Sequence, residues 1–583
     1  MTTGMDAPEQ PRRRQWSSNN GSQPSLAPPA TGSPWSQSMV TALEGQVRPT
    51  TSRTLRIQVA EPVALGKQGG IAKGFTAIFE SLSPRQIGTI TVGSAIGTGL
   101  MIGTARALSL SGPAAMMISF SFVGLTIYLV LLALGEVAAW SPKPSTLADQ
   151  ANRYCDPALG FSLAWIYWLK YAIVTPNQLT AATLLIGFWV DAERINPGVW
   201  ITVFLAVITG INFLHQALPG RLEFYIASFK LLVMSALMIL SIVIALGGGP
   251  DHDRRGFRYW QSPYDAFGTF GAGNDKLVDR FFVVCNTMSS ATFAFVGSER
   301  SGILIRAPDV RKAMSRAIKH TFYRVLVSHL LAITLLGMLI PPYSEHLAFN
   351  SHSEKRAAAS PFVAAIYLSG IKVVPHILNA CILVFVLSIG NFDLFLATKA
   401  LCDLALKHRA PAVLARTNSR GIPIYSLLLC VLISMLAYIN VSKNSTVVFG
   451  YFVNLVTMLG LLTWVSVLVT HMAFVRARRA QGVPDKSLVF RARFGLWGTG
   501  FALLLCLFIT ATMTLASFHF EGDHIRFDPL AIVSSYIAVP LYLVLIIGYK
   551  FAVRCKGVDP MRADLWTDRL DINVAVSVEN RAE

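Results

Sequence analysis

The strongest indication of a fold in this sequence is Val92-Gly-Ser-Ala-Ile-Gly-Thr-Gly-Leu-Met-Ile-Gly103. Each glycine weakens a helix by about 1 kcal/mol relative to alanine, which favours a break around Gly97-Thr98-Gly99. Unpaired backbone groups are unfavourable in lipid, so such a break survives only where it lines a cavity. There the free N–H groups of a half-helix attract an anion such as a carboxylate. Close packing of two helices at these glycines is an equally good explanation of this stretch alone.

The composition of the whole chain is that of a membrane protein. Its 583 residues are 53% hydrophobic and 14% charged, with a mean hydropathy of +0.50, whereas soluble domains carry about 25% charged residues. A run of about 20 apolar residues spans the hydrocarbon core. The apolar segments, numbered one to twelve, are 88–110, 113–138, 158–190, 198–216, 223–247, 279–303, 319–341, 372–398, 423–440, 446–474, 494–517 and 529–551. The sequence therefore predicts an all-α integral membrane protein with twelve transmembrane helices.

The net charge of +18 follows the predicted topology. With the N-terminus in the cytosol, the Lys- and Arg-rich loops after segments six, eight and ten all lie in the cytosol, which is the positive-inside pattern. An even number of segments places both termini there. We expect no nucleic-acid binding, because no basic region contains a recognition motif for nucleic acid.

Three regions divide the chain. Residues 1–82 are rich in Ser, Pro, Gly, Gln and Arg and lack the apolar region of a signal peptide, so they are predicted to be a disordered cytosolic tail. Residues 83–551 form the predicted membrane domain, and 552–583 a cytosolic C-terminal tail. The seven cysteines form no CxxC pair and no catalytic motif is present, so we expect no enzymatic activity, metal or cofactor.

Segment six contains a second irregular stretch, Thr292-Phe-Ala-Phe-Val-Gly-Ser-Glu-Arg-Ser-Gly302. Interruptions at corresponding positions of two inverted five-helix repeats indicate a transporter site, which favours binding over close packing. The residues predicted to hold a substrate carboxylate are Ser94, Ala95, Ile96, Gly97, Thr98 and Gly99. The residues whose carbonyl groups are predicted to accept from a substrate ammonium are Phe293, Ala294, Phe295, Val296 and Gly297.

Ionisable residues inside membrane segments are unfavourable and are therefore functional candidates by default. They include Glu136, Lys170, Glu223, Lys230, Glu299 and Asp393. Glu223 and Lys230 lie seven residues apart and share one face of a helix. Glu136 ends segment two, where a solvated helix end is a strong alternative. For each candidate, a purely structural salt bridge explains the residue equally well.

Six motifs occur in order along the chain: Ala95-Ile-Gly-Thr-Gly-Leu100, Gly112-Pro113, Leu134-Gly-Glu136, Glu223-Phe…Ser-Phe-Lys230, Phe295-Val-Gly-Ser-Glu299 and Ser360-Pro-Phe362. In this set the chain resembles the fungal amino-acid permeases of the amino acid–polyamine–organocation superfamily, from about Leu82 to Phe551. Further stretches, such as Thr175-Pro-Asn-Gln-Leu-Thr-Ala-Ala182, look like the dicarboxylic amino-acid permease branch.

The resemblance implies a leucine-transporter-type fold, a five-plus-five inverted repeat with helices one and six broken. It implies import of an acidic amino acid, glutamate or aspartate, by proton symport across the plasma membrane. Lys230 matches a lysine that takes the place of a sodium ion in related carriers, so it is expected to couple the proton. The alternative proton carriers are Glu299, Glu136 and Glu223.

Two residues of segment three are expected to select the acidic side chain. Gln178 stands where many general permeases carry Glu, and its neutral amide removes a charge that would repel a carboxylate. Lys170 is a cation where related permeases often have a neutral residue. Two helical turns, about 12 Å, separate the two positions, so we expect only one of them to contact a given small substrate.

Two alternatives and two departures from the family pattern limit this interpretation. A permease-fold nutrient sensor and a permease for neutral amino acids are the alternative functions. Arg300 and Phe392 differ from the usual residues of the family, and Arg300 could neutralise Glu299. We expect an amino acid, a proton and the lipid bilayer as partners, whereas the oligomeric state is unknown.

Overall fold

A computed structural model describes residues 89, 93, 96–140, 146–190, 193–214, 218–268, 275–299, 310–342, 344, 346–347, 358–441, 445–488, 490–513, 515, 518–521 and 524–567. Its α-helices are α1 Thr104–Trp140, α2 Leu147–Tyr154, α3 Pro157–Ile186, α4 Pro197–Leu214, α5 Leu218–Ala245, α6 Lys276–Phe295, α7 Val310–Leu339, α8 Pro361–Leu368, α9 Val374–Leu406, α10 Ile424–Ser434, α11 Ser445–Ala480, α12 Gly495–Thr512, α13 Pro529–Tyr536 and α14 Ala538–Val553. A π-helix, Gly99–Gly103, precedes α1, and the strands β1 Phe518–Glu521 and β2 His524–Phe527 form an antiparallel pair.

Nine helical stretches among these residues are long and apolar enough to cross a membrane. They correspond to predicted segments two to five and eight to twelve. Segment one is described only in part, and α6 ends at Phe295, short of the predicted end at residue 303. In α7 the apolar stretch is the shorter Val325–Leu339. The chain is therefore a helical, membrane-spanning protein.

Gly112 divides α1 into two helices, which correspond to the end of segment one and to segment two. Its φ of 75° is left-handed, a conformation that glycine adopts without steric penalty. Gly268 N donates to Ser111 O at 2.7 Å, and Ala114 N donates to Ala266 O at 2.9 Å. A Cβ atom at Gly112 would lie only 2.8 Å from Ala266 O. This turn therefore fits the loop before α6 only with glycine.

The short helix α2 is tied to the end of α9. The backbone N–H of Asp149 donates to the Thr146 hydroxyl, and the backbone N–H of Thr146 donates to the Asp149 carboxylate, which is a capping box. Lys407 Nζ also lies 2.7 Å from Asp149 Oδ2. Burial raises the pKa of Asp149, but the Lys407 ammonium and the Thr146 hydrogen bonds outweigh it, so the net shift is downward.

Burial separates inner helices from outer ones. Helices α3, α9 and α11 are buried along most of their length, and α3 packs against both of the others. Helices α4, α5, α12 and α14 instead expose apolar side chains such as Leu232, Trp497 and Phe551. Exposed apolar faces of this extent fit contact with lipid.

The chain after α14 turns back onto the bundle. Trp140 Nε1 donates to Leu565 O at 2.9 Å, and Gln481 Nε2 donates to Ala563 O at 2.7 Å. The Leu565 side chain is fully buried in a cluster with Phe474. The predicted C-terminal tail thus begins with a packed segment that extends to residue 567. Residues 568–583, like the predicted N-terminal tail 1–82, lie outside the described residues.

Candidate functional site

The first interruption lies before α1, where the sequence predicts a break. The backbone bends at Ile96 and Gly97, and the π-helix begins at Gly99. Gly97 O accepts from the backbone N–H groups of Leu100 and Met101 at 3.2 and 3.0 Å. A π-helix inside a helical segment is often found at functional sites. Of the predicted carboxylate-binding residues, Ser94 and Ala95 lie outside the described residues.

The second interruption lies at the end of α6. The helix ends at Phe295, and Gly297 in the following turn has a φ of 100°, which favours glycine. The two interruptions touch: a Cβ atom added at Gly99 would lie 2.5 Å from Ala294 Cα and 3.1 Å from Phe293 O. The predicted carboxylate-binding and ammonium-binding segments are therefore in contact, and the space between their backbones at Gly99 has no room for a side chain.

Gln178 of α3 reaches the first interruption. The Thr98 hydroxyl donates to Gln178 Oε1, and both side chains are buried. Helix α9 also packs against this residue, since a Cβ atom added at Gly390 would lie 3.2 Å from Gln178 Cβ. Gln178 is thus held between α9 and the predicted carboxylate-binding segment.

Lys170, two turns away on α3, reaches the second interruption instead. Its amine donates to Glu299 Oε1 in an ion pair. Glu299 Oε2 accepts from the Gly297 backbone N–H at 2.9 Å and from Trp464 Nε1 at 3.3 Å. The two predicted selectivity residues therefore serve different interruptions. Arg300, predicted as a possible partner of Glu299, lies outside the described residues.

The Lys170–Glu299 pair is enclosed by protein. Both side chains are at most 1% exposed, and the Lys170 amine also lies over the rings of Tyr167 and Tyr171, at 4.4 and 4.6 Å from their centroids. Removing one partner of a buried pair typically costs about 3–5 kcal/mol, because the other charge is left uncompensated. The pair therefore joins α3 firmly to the end of α6.

A second buried ion pair joins α5 to α9. Lys230 Nζ donates to Glu223 Oε1 at 2.9 Å, and the Ser388 hydroxyl donates to Glu223 Oε2 at 2.5 Å. Lys230 and Glu223 are as fully buried as the first pair. The sequence correctly places the two residues on one helix face, whereas Ser388 is a partner that it does not indicate.

Glu136 is not a solvated helix end, so that alternative interpretation is wrong. Its side chain is buried, and Glu136 Oε2 accepts from the Ala492 backbone N–H at 2.7 Å. His471 Nε2 lies 3.5 Å from the same oxygen, and the His471 ring is held by Thr499 at 2.9 Å. These contacts join α1 to α11 and α12. Asp393 is also fully buried, within α9.

Sequence reasoning missed two residues near the interruptions. Trp464 binds Glu299, and no feature of its sequence context indicates this contact. Arg106 lies in the first turn of α1, directly after the π-helix, and donates to Asn454 Oδ1 of α11 at 3.5 Å. Arg106 is an ionisable residue in segment one, so the criterion applied to the other charged residues would have found it.

Comparisons with known proteins give sequence matches over most of the chain. A family model described as Amino acid permease matches residues 86–559. The chain is 41% identical to the dicarboxylic amino acid permease of Saccharomyces cerevisiae, over 84% of this chain and 80% of that protein. It is 36% identical to an uncharacterised amino-acid permease of Schizosaccharomyces pombe, over 82% and 90% of the two chains. The proline-specific permease of S. cerevisiae is 33% identical, over 82% and 75%.

Proposed function

Because the chain belongs to the amino acid permease family, we propose that it imports acidic amino acids, glutamate and aspartate, by proton symport. Membership of the family makes it an integral membrane protein that carries amino acids across a membrane, and its relatives are named as permeases rather than enzymes. The observation that supports an acidic substrate is the position of Lys170, a cation that is fully buried at the second interruption. The relative named as a dicarboxylic amino acid permease supports the same substrate class.

The proposed architecture has twelve transmembrane helices in residues 83–551, arranged as two inverted repeats of five helices plus two further helices. The helices of segments one and six are broken. The protein lies in the plasma membrane, with both termini on the cytosolic side. The contact between Gly99 and the end of α6 supports a shared site at the two interruptions. The nine apolar spans among the described residues support the helix count without completing it.

In the proposed site the first interruption, residues 94–99, holds the substrate α-carboxylate through free N–H groups. Carbonyl groups of residues 293–297 accept from its ammonium. Gln178 keeps the first interruption free of negative charge, and Lys170 attracts the side-chain carboxylate of the substrate. A buried ammonium strongly favours a carboxylate partner over a neutral amide.

Lys230 is the first candidate for the proton carrier, with Glu299, Glu136 and Glu223 as alternatives. All four side chains are buried and hydrogen-bonded. Lys230 and Glu223 bind each other, whereas Glu299 and Glu136 accept from backbone N–H groups. Buried ionisable groups change protonation readily when a partner moves, because an isolated buried charge is unfavourable.

Labelled uptake tests this function. Cells that express the chain are given glutamate, aspartate, proline and lysine, each at an acidic and a neutral external pH. We expect glutamate and aspartate uptake that is faster at acidic pH and collapses when a protonophore removes the gradient. Uptake restricted to proline or lysine would contradict the acidic substrate, and binding without uptake would indicate a sensor.

A neutral amino acid is the second candidate substrate. The 33% identity to a proline-specific permease favours it, since the same fold serves a neutral substrate there. The same uptake panel separates the two candidates.

A further inference from the structure

Glu299 brings together donors from three parts of the fold. Lys170 of α3 binds Oε1, while Trp464 of α11 and the Gly297 backbone N–H bind Oε2. The Lys170 amine is enclosed further by the rings of Tyr167 and Tyr171. Among the described residues, Glu299 is the only carboxylate that pairs with Lys170. The cation that would attract an acidic substrate is therefore already neutralised by the protein.

This pairing creates a conflict for an acidic substrate. A side-chain carboxylate that enters between the two interruptions meets an ammonium that Glu299 already holds. Counted over the described residues, two carboxylates and one ammonium would leave a net negative charge beside side chains that are at most 1% exposed, which is strongly unfavourable. Binding of the substrate therefore requires that one carboxylate give up its charge.

We infer that Lys170 exchanges Glu299 for the side-chain carboxylate of an acidic substrate, and that Glu299 takes up a proton as it is displaced. The inference rests on the proposed function. The Lys170–Glu299 ion pair breaks as the Lys170–substrate ion pair forms, and Lys170 keeps its charge throughout. Glu299 Oε1 receives one proton from the outer solution and becomes a neutral carboxylic acid. In the cytosol the substrate leaves, Glu299 returns that proton to water, and its pair with Lys170 forms again.

The contacts of Glu299 suit this exchange. A neutral carboxylic acid still accepts hydrogen bonds, so Oε2 keeps its donors Gly297 and Trp464 while Oε1 carries the proton. Within the part of the chain that the structure describes, α3 contributes the titratable groups Lys170, which pairs with Glu299, and the phenols Tyr167 and Tyr171, which surround the Lys170 amine. On the α7 side, the His329 ring stacks on Phe295, at the end of α6, with 4.8 Å between the centroids. These described neighbours are cationic or neutral, so Glu299 is the carboxylate that the substrate displaces from Lys170.

The exchange assigns one proton specifically to the acidic side chain. Glutamate carries one negative charge more than a neutral amino acid, and the exchange takes up one proton more. This proton is additional to any proton carried by Lys230. The number of protons that enter with each glutamate therefore depends on Glu299.

Flux measurements on the purified full chain in proteoliposomes test the exchange. The influx of labelled glutamate is measured together with the acidification of the vesicle interior, which a trapped pH-sensitive dye reports. Their ratio gives the number of protons per glutamate. We expect Glu299→Gln to lower this number by one relative to the wild type. Glu193→Gln, the same substitution at an exposed position, is the control and is expected to leave it unchanged. An unchanged number in a Glu299→Gln protein that still transports glutamate would overturn the inference.

A second variant removes both charges together, in case Glu299→Gln alone fails to fold with Lys170 uncompensated. Lys170→Gln/Glu299→Gln is expected to lose the same proton. It is also expected to lose about tenfold or more of the preference for glutamate over glutamine, as for one buried charged contact. A double variant that keeps both the proton number and the preference contradicts the exchange.

A third measurement uses only the wild type. Addition of glutamate to purified protein in weakly buffered solution is expected to raise the pH of the medium, because each binding event takes up a proton. Binding of glutamate without proton uptake overturns the exchange. The proposed function fails differently, through the absence of proton-driven glutamate uptake by the wild type.

Discussion

Gly99 stands where the two interrupted segments touch, and its missing side chain allows the contact. A Cβ atom there would lie 2.5 Å from Ala294 Cα, a distance that backbone atoms cannot relieve by a side-chain rotation. In an ordinary helix, glycine is weaker than alanine by about 1 kcal/mol. The glycine at this position is therefore explained by the close approach of α6 and not by helix stability.

We predict that Gly99→Ala lowers glutamate uptake by at least about tenfold, since the added methyl group must displace α6 at the site, and a small displacement there can reduce turnover about a hundredfold. Labelled uptake, corrected for the amount of protein at the cell surface, measures the effect. Gly210→Ala in α4 is the matched control, because no atom lies within 4 Å of its added Cβ. Equal uptake by the two variants would show that the close contact is not needed.

Lys170 and Gln178 show how side-chain length changes the reach of one helix. Their backbone positions lie about 12 Å apart along α3. The Gln178 amide binds Thr98 at the first interruption, and the long Lys170 side chain binds Glu299 at the second. Since the interruptions themselves touch, α3 contacts both halves of the site.

Among the helices and loops that the structure describes, two buried Lys–Glu ion pairs are linked to different helices. Lys170–Glu299 joins α3 to the end of α6, whereas Lys230–Glu223 lies on α5 and is joined to α9 by Ser388. Buried pairs hold elements in place strongly, because breaking them leaves an isolated charge. If α6 moves relative to α3 and separates this pair, Lys170 therefore needs another anionic partner and Glu299 must be neutralised.

We predict that Lys230→Met strongly reduces pH-driven glutamate uptake while the protein stays at the membrane, because no amine remains to carry a proton beside Glu223 and only the proton taken up by Glu299 still enters with the substrate. Uptake at an acidic and a neutral external pH, together with imaging of the tagged protein, measures both properties. Lys230→Met/Glu223→Gln avoids an isolated buried carboxylate and is expected to behave alike. Ser235→Ala, an exposed change on the same helix, is the control. Normal proton-driven uptake by either Lys230 variant would remove Lys230 from the coupling mechanism.

At the scale of the whole molecule, the segment after α14 closes one end of the bundle. Its backbone carbonyls accept from Trp140 of α1 and Gln481, which follows α11. Leu565 is buried between residues of α1, α2 and α11. The segment thus joins parts of the chain that lie more than 400 residues apart.

We predict that Leu565→Ala destabilises the folded protein by about 2–5 kcal/mol, as for other buried leucines that leave a cavity. The midpoint of thermal unfolding, followed by fluorescence-detected size-exclusion chromatography, reports the change. Met561→Ala is the control, since the Met561 side chain is 64% exposed. Equal midpoints for the two variants would show that the segment contributes nothing to stability.

Features that depend on local chemistry could be predicted from the sequence. Apolar segment length predicts helices that span a membrane, and nine of the predicted segments correspond to apolar spans of the structure. Glycine content marked the irregular stretches before α1 and after Phe295, because glycine destabilises a helix wherever the helix lies. The spacing of Glu223 and Lys230 placed them on one face, since helical periodicity alone sets that relation.

Contacts between distant parts of the chain could not be predicted from the sequence, because they depend on how the helices pack. Local sequence does not show that Lys170 binds Glu299, 129 residues away, or that Trp464 completes the same site. It also did not show that Glu136 is buried against Ala492, because burial of a helix end depends on the element that covers it. The charges were visible in the sequence, but their partners depend on helix packing, and the partners decide what each charge does.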